Sequence, residues 1–280
     1  MRCRPFANTG VPLSIVGLGT WNMERDREAS AVAAIQLALD LGINHVDTAE
    51  LYGRGEVERL VGRALLDRRE RVYLCSKVLP TNASRRGTIG ACERSLSRLG
   101  TDHLDLYLLH WPGAHPLEET VDAFHQLIAD GKIRRWGVSN FDVDMLEALA
   151  RIVDPAEIAC NQVLYHLEER AIEHRVLPWC RERGIATVAY SPLGSGAFVS
   201  PRSHGGQVLA EIATRHDATP ARVALAWLAR EPDVFVIPKA TALTHVRDDV
   251  AAGDLVLGDD DIAAIDRAFE RGHARGLPTL

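Results

Sequence analysis

The chain has 280 residues, 46% of them hydrophobic and 25% charged, with a formal net charge of −6. That length fits one α/β barrel or two smaller domains, and an acid excess with no Lys/Arg block argues against a nucleic-acid surface. No apolar run approaches a membrane span, and the basic start MRCRPFANTG has no apolar signal core, so a cytoplasmic protein is expected.

In chain order, NTG (8–10) reads as the turn of a small hairpin. SIVGLG (14–19) is the first strand candidate, followed by a helix over 29–41 with Val32, Ile35 and Leu39 on one face. INHVD (43–47) and a helix near 56–66 come next, then VYLCSK (72–77) and 88–99. LDLYLLH (104–110) precedes a helix over 117–130, and the DGK that follows places Gly131 as a C-cap. IRRWGVS (133–139) is followed by a helix over 142–152, and EIACNQ (157–162) by one over 170–183. IATVAY (185–190) leads into helices over 206–216 and 219–230. VFVIP (234–238) is the last strand, with helices over 242–251 and 259–270; the last opens on Asp259, Asp260 and Asp261, as helix N-termini prefer.

Eight apolar strands, each followed by an amphipathic helix, predict a (β/α)8 barrel over residues 1–280 as one domain, with the hairpin closing its floor. The rival is a doubly wound open sheet, but GLGTWN (17–22) lacks the third glycine of a dinucleotide turn. Five scattered cysteines (Cys3, Cys75, Cys92, Cys160, Cys180) with no C-x-x-C pair read as reduced thiols, and the histidines show no metal spacing.

Barrel chemistry sits at the C-terminal strand ends. Those positions carry Thr20 and Trp21, Asp47 with Tyr52 just beyond, Lys77, His110 and Trp111, Ser139 and Asn140, Asn161 and Gln162, Tyr190 and Ser191, and Pro238 and Lys239. Lys77 and Lys239 are two of only three lysines beside 29 arginines. Such lysines can mark positions where a compact cation serves and a planar fork does not. A phenol has a reference pKa of about 10, and a cation at about 4–6 Å favours the phenolate by about 1–3 units. Lys77 is therefore expected to lower the pKa of Tyr52, with Asp47 holding Lys77 in place and His110 orienting a carbonyl oxygen. Such an acid needs a hydride donor as its partner. Ser139, Asn140 and Gln162 could bond a nicotinamide carboxamide, Tyr190 could stack on its ring, and Lys239 could meet a phosphate. The Ser/Gly/Pro-rich run SPLGSGAFVSPRSHGG (191–206) could cover a pyrophosphate as a mobile flap.

Taken singly, each residue has a plainer role: Asp47 as a helix cap, Tyr52 as a loop aromatic, His110 as a strand-end histidine, Trp21 and Trp111 as rim packing. Together and in order, GLGTW (17–21), DTAELYG (47–53), ERLVG (58–62), SK (76–77), LDLYLLHWP (104–112), GKIRRWGVSNF (131–141), NQVLYH (161–166), AYSPLGSG (189–196) and IPK (237–239) resemble the aldo-keto reductase family across nearly the whole chain.

The resemblance implies a tetrad of Asp47, Tyr52, Lys77 and His110 with Tyr52 as proton donor, and NADPH lying extended across the barrel mouth. It implies reduction of aldehydes or ketones, with α-dicarbonyls such as methylglyoxal as candidates because the loops at 113–119 and 272–280 are short. It places substrate at Trp21, Tyr52, His110 and Trp111. It places cofactor at Gly19, Thr20, Trp21, Asp47, Ser139, Asn140, Gln162 and Tyr190. The cofactor set continues through Ser191, Pro192, Leu193, Gly194, Ser195 and Gly196, then Ile237, Pro238, Lys239, Ala240, Thr241, His245, Asp248 and Asp249. The last motif departs from the family pattern. Ala240 stands at a common Ser/Thr, His245 at a common Arg and Asp249 at a common Asn, which keeps NADH open as an alternative cofactor. A monomer acting on a small carbonyl substrate is expected. The alternative is a cofactor-loaded regulatory subunit with little turnover, on the same scaffold.

Overall fold

The computed structural model describes residues 1–279. It opens with the expected hairpin: β1 (Cys3–Pro5) runs antiparallel to β2 (Pro12–Ser14), with Cys3 opposite Ser14. A 3-10 turn over Ala7–Thr9 ends at Gly10, whose φ of 70° favours glycine. The hairpin buries Phe6 and Leu13 fully against Tyr73, Leu106 and Phe235 at the barrel floor.

Eight parallel strands follow, each paired with the next in the chain: β3 (Leu18–Gly19), β4 (His45–Asp47), β5 (Tyr73–Val78), β6 (Leu104–Leu109), β7 (Ile133–Ser139), β8 (Ile158–Leu164), β9 (Ala186–Tyr190) and β10 (Val234–Ile237). The ends meet through a parallel bridge between Val16 and Val236, and Gly19 N donates to Pro238 O at 2.9 Å. The predicted (β/α)8 barrel is therefore the fold. The predicted first strand is broken up, however. Ser14 belongs to the hairpin, Val16 makes a single bridge, and only Leu18–Gly19 form a ladder. This stretch runs very close to its neighbours: a Cβ on Gly17 would come within 2.9 Å of His45 Nδ1, and one on Gly19 within 2.7 Å of Ile237 O.

The outer ring is α1 (Glu28–Asp40), α2 (Glu56–Ala64), α3 (Arg85–Leu99), α4 (Leu117–Ala129), α5 (Val143–Ala150), α6 (Val176–Glu182), α7 (His204–Arg215), α8 (Pro220–Leu228), α9 (Leu243–Ala252) and α10 (Asp259–Ala268). Ser84, Ser203 and Thr219 cap α3, α7 and α8 by accepting from the N–H groups of Gly87, Gly206 and Arg222. The helix predicted over 170–183 is divided into a 3-10 turn at Ala171–Glu173 and α6. Pro178 explains the break: it lacks an N–H and its ring would clash with the carbonyl four residues back, so it is tolerated only in a first turn.

Side chains alternate along a strand, and that period sorts the barrel interior. Tyr73, Cys75, Leu106, Leu108, Val188 and Phe235 form one apolar cluster with the hairpin. Continuing each strand by twos leads to Lys77, His110, Tyr190 and Lys239 at the upper rim.

Candidate active site

Lys77 lies at the centre of the rim, fully buried. Its three ammonium hydrogens have three acceptors: Asp47 Oδ1 at 2.5 Å, the Thr48 carbonyl at 2.9 Å and the Tyr52 hydroxyl oxygen at 3.1 Å. Asp47 Oδ2 accepts from Gln162 Nε2 at 2.8 Å. Burial opposes the charge on Lys77, but Asp47 and Tyr52 outweigh it and hold its pKa above the ordinary range. The ring of His110 meets that of Tyr52 edge-on at 5.8 Å and lies 4.8 Å from Trp111. Burial, reinforced by Lys77, pushes the His110 pKa down to about 2, so the imidazole is neutral at physiological pH.

The expected acidity of Tyr52 is corrected in sign. Burial pushes the phenol up to about 12; Lys77 pulls the other way, and Asp47 adds to the rise. Because Asp47 sits on Lys77, the phenol faces an ion pair instead of a lone cation.

The chain reaches Tyr52 through DTAELYG. Thr20 Oγ1 donates to the Asp47 carbonyl at 2.8 Å. Glu50, which the sequence did not single out, accepts from Leu79 N at 2.7 Å and Asn82 Nδ2 at 2.9 Å, tying this loop to the end of β5. The turn at Tyr52–Gly55 enters α2 through three residues of positive φ, Gly53, Arg54 and Gly55. Two of the three are glycine, which adopts that geometry without penalty.

A cavity of about 470 Å³ opens above these groups. Its walls include Gly19, Thr20, Trp21, Asp47, Tyr52, His110, Trp111, Ser139, Asn140, Gln162 and Tyr190, then Ser191, Pro192, Leu193, Ser195 and Gly196, and Ile237, Pro238 and Lys239. Asn22 and Leu51 also line it and were missed. Asn22 directly follows the quoted motif GLGTW and Leu51 lies inside DTAELYG, next to Tyr52, and that proximity was the available signal. Gly194, Ala240, Thr241, His245, Asp248 and Asp249 lie outside the lining. Asp248 is held by Thr219 and Arg222, while burial, with Asp248 next to it, pushes the Asp249 carboxyl up to about 7.

Asn140 and Gln162 spend their amides on the protein. Asn140 Nδ2 donates to the His110 carbonyl at 3.0 Å and to Ser139 Oγ at 3.1 Å, and the Tyr190 hydroxyl donates to Asn140 Oδ1 at 2.9 Å. Ser139 Oγ donates to Gln162 O at 2.8 Å. Asn140, Ser191 and Ser195 all have positive φ. For non-glycine residues that conformation is uncommon and clusters where function over-determines the backbone. The run after Tyr190 is pinned by Ser195 Oγ donating to Ser191 Oγ at 2.8 Å and by buried Val199, before Ser203 starts α7.

The model of the Aldo/keto reductase family matches residues 15–270. The chain belongs to the aldo/keto reductase family. Methylglyoxal reductase YeaE of Escherichia coli is 44% identical over 261 residues, covering 92% of each chain. Glyoxal reductase of Bacillus subtilis is 33% identical over 259 residues, covering 92% of this chain and 90% of its own. An aldo/keto reductase from Klebsiella pneumoniae, solved in complex with NADP and acetate, superposes over the full length of both chains with a TM-score of 0.94 and 40% identity.

Proposed function

We propose that this aldo/keto reductase is an NADPH-dependent reductase of small aldehydes and α-dicarbonyls such as methylglyoxal, with Tyr52 as the general acid. The observation that carries the reading is the bonding of Lys77. Its ammonium already donates to the phenolic oxygen of Tyr52, so the phenol's own hydrogen is available to an acceptor in the cavity. A phenol at about 12 keeps that hydrogen at neutral pH. It gives the proton up only to a stronger base, such as a carbonyl oxygen on its way to alkoxide. The phenolate left behind faces the Lys77 ammonium, a preorganised partner that costs no reorganisation when charge develops. Neutral His110 carries one ring N–H, a second donor for the carbonyl oxygen that brings no competing charge.

Bound NADPH supplies the hydride. The residues fit such a group. Tyr190 gives the cavity an aromatic wall, the positive-φ backbone at Ser191–Gly196 is of the kind that forms anion nests, and Lys239 supplies a cation at the far end. The exposed faces of Trp21 and Leu51, at 43% and 40%, give an apolar rim for substrate. The names of the two curated relatives support small dicarbonyls as the substrate class. Among the described residues no helix is long and apolar enough to cross a membrane. All five cysteines are unpaired, which suits action in the reducing cytoplasm.

The test is turnover of purified protein with NADPH or NADH against methylglyoxal, glyoxal and a panel of monoaldehydes. Consumption of NADPH, fastest with the dicarbonyls, is expected. Cofactor binding without consumption by any substrate would favour a regulatory subunit and overturn the assignment.

A further inference from the structure

Lys239 follows β10 and lines the cavity, and its ammonium lies 2.6 Å from Asp26 Oδ2. Asp26 ends the 3-10 turn Met23–Arg25, its own N–H bonded to Met23 O at 3.1 Å. The segment leading to it carries Trp21 and Asn22 along the cavity wall. The pair therefore spans from the loop after β3 to the loop after β10. Among the described residues Asp26 pairs with no other cation. The positions matched to the rest of the family's phosphate motif offer no fixed positive charge: Ala240 is buried and apolar, His245 is exposed, and Asp249 is a buried acid.

We propose that Asp26 sets the preference between phosphorylated and unphosphorylated dinucleotide by competing with the cofactor's 2′-phosphate for Lys239. This rests on the cofactor placement given above. A 2′-phosphate reaching Lys239 must displace the carboxylate or share the ammonium with it, and either way the second anion weakens its hold. A dinucleotide with a 2′-hydroxyl leaves the ion pair intact. With side chains about one-third exposed (31% for Asp26, 32% for Lys239), solvent and salt screen the competition without removing it.

Titration of tryptophan fluorescence with NADPH and with NADH tests this on the wild type, Asp26→Asn, Lys239→Gln and the double variant. Asp26→Asn should tighten NADPH by about twofold to fivefold, the scale of a partly exposed ion pair, and leave NADH unchanged. Lys239→Gln should weaken NADPH, and adding Asp26→Asn to it should restore nothing. Unchanged or weaker NADPH binding in Asp26→Asn would overturn the competition, the weaker case making Asp26 a clamp on bound cofactor. An equal gain for NADH would put the shared pyrophosphate at Lys239 and overturn the preference. A wild type that binds neither dinucleotide would overturn the functional reading and this inference with it; a wild type that binds both with Asp26→Asn silent would overturn this inference alone. Asp26→Ser, with a melting curve to check its fold, gives the same comparison if the Asn variant is unstable.

Discussion

At Tyr52 two effects of opposite sign meet, and burial wins. Charge alone would make the phenol a stronger acid, but desolvation outweighs it, Asp47 offsets part of what Lys77 offers, and the group is pushed up to about 12. A donor that stays protonated until the carbonyl oxygen becomes basic does its work in the transition state. Tyr52→Phe should therefore leave NADPH affinity within about twofold and lower kcat by about 10²–10⁴-fold, the usual range for a positioned acid. Single-turnover reduction of methylglyoxal with saturating NADPH measures this. A variant retaining a tenth or more of wild-type kcat would remove Tyr52 from the acid role. The residue types at the strand ends could be read from the sequence because the strand period places them there. The direction of the Tyr52 shift could not, because it depends on how far the folded surroundings desolvate the phenol.

The elements supporting this chemistry are held by close helix contacts. α2 carries the fully buried Glu58, whose Oε1 accepts from Ser76 Oγ and whose Oε2 accepts from Arg98 Nε, both at 2.6 Å. Ser76 precedes Lys77 on β5, so α2, α3 and the site share one polar link. α2 can approach α3 because residue 62 is glycine: a Cβ there would stand 2.5 Å from the Leu99 carbonyl oxygen and 2.8 Å from its carbon, both backbone atoms. Gly62→Ala gains about 1 kcal/mol of helix propensity and incurs an overpacking cost of about 1–3 kcal/mol. The expected result is a lower urea midpoint and a net loss of up to roughly 2 kcal/mol. A midpoint at or above wild type would show that the two helices separate freely. Element boundaries were legible where one signal dominated. The strand at 133–139 is found at the predicted residues, and α4 and α10 begin where they were expected. The first strand and the 170–183 helix were not legible, because their outcome depends on Gly17 and Gly19 packing against distant backbone and side chains and on one proline ring.

Across the whole molecule, the barrel interior passes from an apolar floor to a charged rim, and His45 sits at the change. It is fully buried below Asp47, among Phe6 and Tyr73, and both ring nitrogens are without a partner among the described residues. Burial is the largest influence on its pKa; Asp47 raises it and Lys77 lowers it, so the two ions above oppose each other and the ring is pushed down to about 4. The native chain then refuses a proton that the unfolded chain accepts below about pH 6.5. Stability from this group is full above that pH and is lost progressively as pH falls toward about 4, with His110, pushed down to about 2, acting in the same direction. At about pH 5 the His45 share is roughly 2 kcal/mol. His45→Leu removes a buried polar ring with unmet nitrogens, so its stability near pH 7.5 should stay within about 1–2 kcal/mol of wild type. Its loss of stability between about pH 7.5 and 5 should be smaller than wild type by roughly 1–2 kcal/mol. Urea unfolding of both proteins at the two pH values measures the difference, and equal acid losses would mean that His45 takes up its proton in the native barrel.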